Sequence, residues 1–430
     1  MFPNVSNTGS IKTTSYKVVL PFYLYAALSF LVATIMLFIS NDAFLSHYFH
    51  PHILAITHAM ALGWGTMVIL GAGHQLVPVL IEGKLYSEKL AYSAFILAAV
   101  GIPLLVYGFY TFNMNAPAKW GGRLIVFAVI SFLVNIAMSI KHSKGENVHS
   151  VFIFTSTIWL LITTLFGLVL VYNFTYDLMP NDSLHYLPLH AHAGMIGWFL
   201  LLVIGVGSRL IPLFLISKYT NPKLLWIILL LINGALLLYF TIFYFFQHDG
   251  ATFIPTSLVL IAVALFIYYC YMAYAKRLRR QVDEQVKISL LSVFMLLLPV
   301  ILLFTIITLL MNTADEQVNL ILTYGFVIFF GWITAIILGM TFKTLPFIAW
   351  NKAYRNRSAM SKTPSPKDLF DNNIFKLMGI AYLFGFTSLT IGILFSLQFL
   401  LQIGSILLII TAIFYNWNVI KVINHKAIIK

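Results

Sequence analysis

Three stretches decide the reading of this chain: His58–Pro78, HAMALGWGTMVILGAGHQLVP; His192–Pro212, HAGMIGWFLLLVIGVGSRLIP; and Phe326–Pro346, FVIFFGWITAIILGMTFKTLP. They lie 134 residues apart and align without a gap. Gly63, Gly197 and Gly331 share a column, as do Trp64, Trp198 and Trp332; Gly71, Gly205 and Gly339; and Pro78, Pro212 and Pro346. Gly, Trp and Pro are each uncommon, so four such columns at one spacing mark an internal repeat. Each stretch is apolar and about as long as the ~20 residues a bilayer crossing needs.

Working outward, the sequence divides into twelve apolar spans: 17–40, 52–80, 88–112, 120–141, 149–173, 185–217, 223–246, 252–276, 287–312, 317–347, 373–397 and 403–425. Four fall in each repeat: repeat one at 17–141, repeat two at 149–280 and repeat three at 287–425, with spans two, six and ten equivalent. The fold class is an all-α polytopic membrane protein, twelve transmembrane helices in three pseudo-symmetric four-helix repeats, forming a single membrane domain over 1–430. Composition agrees. Of 430 residues, 60% are hydrophobic and 9% charged, against about 25% charged in a soluble domain. That excludes a soluble globular protein, a disordered chain and a disulfide scaffold. The single cysteine, Cys270, allows no internal disulfide, no CxxC site and no CxxCH haem attachment. Span one is too long for a signal-peptide core and lacks a small-residue cleavage site, so it is read as a helix.

The net charge of +13 is a matter of topology and not of nucleic-acid binding. All 26 Lys and Arg except Lys119, Arg123, Arg209 and Lys343 fall in the termini and the even-numbered loops. The positive-inside rule then predicts both termini in the cytoplasm, and the resemblance described below implies a bacterial inner membrane. No carboxylate falls within the interior of a span, Glu88 standing at the inner edge of span three. Ion-coupled transporters often place one there, so its absence counts against that class. The aligned glycines suit close approach, either of a neighbouring helix or of a flat ligand. The aligned prolines are expected to end or kink the inner ends of their helices. Arg209 and Lys343 are expected to snorkel to the headgroups.

The twelve histidines sort by place. His142, His149 and His425 are expected to be solvated on the inner side, and His248 on the outer. His74, about 24 Å beyond His58 along the axis, is expected to be a hydrogen-bonded interior residue. The other seven gather. His47, His50, His52 and His58 lead into span two from outside, and His185, His190 and His192 lead into span six. With helix starts at Pro51 and Pro188, His58 lies about 10 Å deep and His190 and His192 lie shallower. Imidazole in hydrocarbon is costly unless it pairs or ligates something, and neutral imidazole is the commonest metal ligand. A haem with axial histidines from two helices fits these residues. So does a copper or zinc site drawn from His50, His52, His58, His190 and His192. His190 and His192 point about 200° apart, so only one faces a given site.

The run His190–Trp198, HAHAGMIGW, followed by Leu210-Ile211-Pro212, resembles the tenth helix of haem–copper oxidase catalytic subunits, especially the C family. That family has twelve helices in three pseudo-symmetric arcs, with haems towards the outer face. The likeness covers the whole chain in architecture and about 60 residues in motif. It implies that His58 and His192 are axial ligands of a low-spin haem b and that His190 is an alternative axial ligand or serves a second haem or metal, with copper a candidate. Arg123, at the outer end of span four, is then expected to pair with a haem propionate. The chain departs from the family. Its His-x-His pair lies in the second arc, Phe326 replaces histidine in the third, and span seven has no paired histidines for copper. It is similar also to NnrS-type haem- and copper-containing membrane proteins linked to nitric oxide resistance. The implied function is electron transfer, or nitric oxide or oxygen chemistry, near the outer membrane face, without a complete haem–copper oxygen-reducing centre. The implied partners are the lipid bilayer, a cytochrome or quinol electron donor, and partner subunits. Two rival readings are a small-molecule or metal transporter with the histidines as relays, and a non-catalytic assembly subunit.

Overall fold

In hydrocarbon every backbone polar group must be satisfied within the chain, which restricts lipid-exposed segments to helices or closed barrels. A computed structural model, which describes residues 14–143, 147–246, 249–313, 317–354 and 363–427, takes the helical solution. Twelve helices are long and apolar enough to cross a membrane: α1 (Tyr16–Ile39), α2 (Pro51–Leu80), α3 (Glu88–Tyr110), α4 (Ala116–Lys141), α5 (Val148–Tyr176), α6 (Ser183–Leu215), α7 (Pro222–Phe246), α8 (Gly250–Ala275), α9 (Glu284–Asn312), α10 (Val318–Tyr354), α11 (Asn372–Leu394) and α12 (Gln398–Ile423). The chain is therefore a multi-pass, all-α membrane protein. Its outward face carries large apolar side chains such as Leu230, Phe384 and Phe399, as a surface in contact with lipid should.

The three repeat-bearing helices, α2, α6 and α10, are the buried ones, and the other nine surround them. Their glycines explain the close packing. A methyl group built on Gly71 would fall 2.6 Å from Phe22 of α1, and one on Gly197 would fall 2.6 Å from Trp159 of α5. In both places the glycine seats the preceding helix, whose side chain fills the space beside it. The aligned tryptophans join the inner helices to one another. Trp198 Nε1 donates to Thr66 Oγ1 (3.0 Å), and Trp64 Nε1 donates to Thr334 Oγ1 (3.1 Å). The residue that would complete the cycle by accepting from Trp332 is Leu200, which has no acceptor.

Each inner helix also widens to π-helical winding over the same columns, at Ala59–Thr66, Ala193–Leu200 and Val327–Ile333. Such insertions are rare and are common at functional sites. In α10 the backbone breaks at Gly331 (φ −89°, ψ −106°). The Tyr382 hydroxyl of α11 donates to the freed carbonyls of Phe330 (2.9 Å) and Gly331 (2.7 Å).

Several expectations change. Helix α6 starts at Ser183, five residues before Pro188, because the Asp182 side chain caps it by accepting from His185 N (2.9 Å). Pro188 lies in the second turn, and His190 and His192 sit as deep in α6 as His58 does in α2. Lys343 does not reach out to headgroups. It pairs with Asp283, which also holds Arg279 through two bonds of 2.7 and 2.9 Å. Arg209 is exposed, as a snorkelling residue would be. The prolines sit within the last turns of α2 and α6, while α10 continues to Tyr354 past Pro346.

Candidate functional site

The π-helical turns lie just past three histidines and set where those rings point. His58 and His192 occupy equivalent columns, and each Nδ1 meets the carbonyl four residues back at 2.7 Å, Leu54 for His58 and Pro188 for His192. His190 turns the other way, to α5, where its Nδ1 meets the carbonyl of Thr163 at 3.1 Å. A carbonyl only accepts, so each Nδ1 carries the proton. Each neutral ring therefore presents its Nε2 lone pair, the arrangement found behind metal-bound histidines.

The three rings open on one cavity of about 670 Å³, lined by residues of α2 through α10 and by Phe44, Tyr48 and Phe49 ahead of α2. Its lining is mainly apolar, with Leu, Ile, Val and Phe just over half of it, and threonine, tyrosine and histidine side chains are set among them, the general character of a cofactor or ligand pocket. Inside it, the ring facing His58 is that of His190. Their centres are 6.2 Å apart and their planes differ by 18°. A metal–imidazole bond is about 2.0–2.1 Å, and a ring centre lies about an ångström further back, so two end-on imidazoles on one metal stand a little over ~6 Å apart. The observed spacing fits. A methyl group on Gly167 would lie 2.6 Å from His190 Cε1, so only glycine there leaves the ring its place.

The structure sets the His58 ring beside that of His190, while His192 lies by Tyr324 of α10 and Tyr239 of α7. The reason is the change of direction between alternate helical positions, together with the deeper setting of α6. The shallow histidines do not join them. His50 caps α2, its Nδ1 accepting from His52 N (3.2 Å), and His52 stacks on Tyr110 at 4.1 Å. Among the described residues no three His, Cys, Asp or Glu side chains assemble as a metal cage. The copper or zinc site drawn from five histidines is thus not gathered in one place.

Arg123 is absent from the cavity wall, although its neighbour Gly122 lines it. The guanidinium hydrogen-bonds Tyr172 and lies 4.6 Å over the Trp120 ring. Lys119, one turn before, donates to Thr175 Oγ1 (3.0 Å). Both are bound to an aromatic cluster on α4 and α5. His149 is not simply solvated, since its Nδ1 meets the Gly205 carbonyl at 3.0 Å. His74 is buried between Phe22 and Phe132, and its hydrogen-bonding neighbour is the carbonyl of Leu70, four residues back. His142 is exposed, and His425 meets the Tyr354 hydroxyl at 3.0 Å. His248 lies outside the described residues.

Thr163, Gly167 and Tyr324 are site residues that sequence reasoning passed over. Tyr324 was within reach, because it stands one repeat after His190. Gly167 and the carbonyl of Thr163 depend on how α5 rotates against α6, which no local pattern records. Among known proteins, no family model matches this chain, and no curated protein matches it.

Proposed function

We propose that this chain is a haem-binding membrane protein of the haem–copper oxidase superfamily, with one b-type haem held between α2 and α6 by His58 and His190. One observation supports the reading: two imidazoles, each held through Nδ1 by a backbone carbonyl, stand with ring centres 6.2 Å apart and nearly parallel planes on the wall of one mainly apolar cavity. A b-type haem there supplies reversible one-electron chemistry.

The chain's own residues do the rest. The carbonyls of Leu54 and Thr163 hold the Nδ1 protons, which fixes the tautomer, orients each ring and raises the basicity of Nε2. The hydrocarbon walls exclude water and favour the less charged state. A haem held by His58 and His190 together would suit electron transfer. The resemblance around His190–Trp198 supports the superfamily, and the basic even-numbered loops support an inner-membrane setting with the histidines towards the outside. Copper has less support than haem, since no third ligand stands beside either ring. The apolar lining also disfavours passage of a hydrophilic solute, and with it the permease reading.

The test is an optical spectrum of detergent-purified protein, oxidised and dithionite-reduced, with metal analysis of the same sample. A Soret band with sharp reduced α and β bands is the expected result. Folded protein expressed with ample haem that shows no Soret band overturns the proposal. Copper or zinc in that sample redirects the site to a metal centre, and a colourless, metal-free protein returns it to the permease or assembly readings.

A further inference from the structure

Lys119 and Arg123 are the only Lys or Arg of the chain at the end of the bundle away from the basic loops. They lie one turn apart on α4, a spacing that puts them on one face of the helix. Both lean on α5. Lys119 Nζ stands 4.6 Å from the centre of the Tyr176 ring and 5.3 Å from that of Tyr172, and the Arg123 guanidinium stands 5.5 Å from the same Tyr172 ring. The turn that carries them is fixed in place. A methyl group on Gly121 would fall 2.5 Å from Leu105 N, and one on Gly108 would fall 2.8 Å from Ala118 N, so α3 and α4 meet here backbone to backbone. Like charges at this spacing repel, and a buried lysine ordinarily keeps an ionic partner. Lys119 is 9% exposed. Yet among the described residues neither cation has a carboxylate partner. A lysine has three N–H donors and an arginine five. The acceptors here are the Thr175 hydroxyl for Lys119 and the Tyr172 hydroxyl for Arg123. The arrangement calls for an anion with several acceptor oxygens.

We propose that Lys119 and Arg123 bind the phosphate of a phospholipid of net negative charge, in the leaflet at this end of the bundle. The guanidinium fork matches phosphate oxygens in pairs, and the ammonium meets them as a point charge. One phosphate between the two cations removes their repulsion and gives the buried lysine its counter-ion. A zwitterionic lipid brings its own ammonium to compete. The surroundings favour a lipid over a free anion. Trp120, between the cations in sequence, is 55% exposed, and the guanidinium stands 4.6 Å from its ring. Trp and Tyr are the residues of the headgroup level. Further along α4, Phe127 and Val134 follow at steps of seven residues and are 56% and 42% exposed. Seven residues are about two helical turns, so the three side chains form one ridge for an acyl chain to lie along. The site does not rest on the haem: Arg123 is absent from the cavity wall and turned to this face.

The test uses the full-length protein reconstituted in phosphatidylcholine vesicles, with chain-brominated phosphatidylglycerol added in increasing mole fraction. Bromine quenches a tryptophan it touches. The chain has eight tryptophans, so the Trp120 signal is taken as the difference between each protein and its Trp120→Phe counterpart. Brominated phosphatidylcholine gives the zwitterionic reference. Phosphatidylglycerol should be preferred about tenfold or more at Trp120, since each basic residue near a membrane surface confers about fivefold. The preference should fall to within about twofold when Lys119→Gln and Arg123→Gln remove both charges. Lys119→Gln alone, which keeps a donor for Thr175, carries the test if the double variant does not fold, and should weaken the preference about fivefold. Equal quenching by the two lipids in the wild type, or an undiminished preference in the folded variants, overturns the proposal. So does a preference abolished by inorganic phosphate at an ionic strength where chloride leaves it intact, which would assign the two cations to a free anion.

Discussion

Gap one, between α2 and α6, and gap two, between α6 and α10, are built on the same backbone and carry different chemistry. Both helices leading into them place a histidine one residue before a π-helical turn, with its Nδ1 tied to the carbonyl four residues back. Across gap one that histidine meets a second imidazole. Across gap two it meets a phenol, close enough to hydrogen-bond. In the third repeat the corresponding column is Phe326 and the facing one returns to Ile56. Glycine seats and tryptophan bonds hold the frame in place, and that frees the cavity-facing columns to diverge. Function is therefore to be sought in the columns where the repeats differ.

The sharpest way to break the comparison is to remove one ring at a time. His58→Ala and His190→Ala should each abolish the bis-histidine spectrum, whereas His192→Ala should leave the α and β bands in place. A spectrum lost with His192 and kept with His190 would restore the pairing the sequence motif suggests and refute the geometric one.

Gly167 offers the next largest effect, because it acts on gap one alone. A side chain there meets the His190 ring at 2.6 Å. Gly167→Val should cost 1–3 kcal/mol through overpacking, about a 5- to 150-fold loss in haem affinity, and should shift the reduced bands as His190 is pushed off axis. Gly194, whose added methyl group would meet Thr163 at an easier 3.2 Å, serves as the control: Gly194→Ala should change haem content by no more than about twofold on the same physical ground. Haem titration of the apoprotein distinguishes the two.

The frame itself can be tested for its broken symmetry. Trp198→Phe and Trp64→Phe each remove a buried hydrogen bond to threonine and should cost about 1 kcal/mol. Trp332→Phe should cost less, because its partner column is Leu200. Thermal unfolding in detergent, followed by near-ultraviolet circular dichroism, should rank the three in that order. Equal losses would mean that the tryptophans matter for their bulk and not for the cycle.

These contrasts show where sequence reasoning succeeds and where it stops. All twelve helices were legible, since apolar length and the dearth of charge are one-dimensional properties. The repeat was legible because Gly, Trp and Pro mark close contacts and helix ends by type. The identity of facing rings was not, because it depends on how far α6 is rotated, and that in turn depends on where it starts. Proline suggested a start at Pro188, while the Asp182 cap, a single hydrogen bond to His185 N, moved it back to Ser183. The destination of Lys343 was hidden for the same kind of reason. Its partner Asp283 belongs to the loop before α9, 60 residues away in sequence.

That pair provides the smallest effect and the only one that varies with pH away from the cavity. Burial raises the Asp283 carboxyl, but Lys343 and Arg279 together outweigh it and hold the group below its ordinary value. A carboxyl with a depressed folded-state pKa contributes stability that is complete above the ordinary carboxylate range, near pH 4, and is lost as the pH falls through the folded value. Both partners remain partly open to solvent, so screening limits the contribution to about 1 kcal/mol or less. Asp283→Asn should therefore lower the unfolding midpoint slightly at pH 7, and the difference from wild type should shrink below about pH 4. The spectrum of gap one should not move at either pH, because Lys343 sits at the opposite end of α10 from Tyr324. A spectral shift in Asp283→Asn would instead show that the far end of the inner helices is coupled to the rings they present, and the gaps could then no longer be treated as independent of the frame.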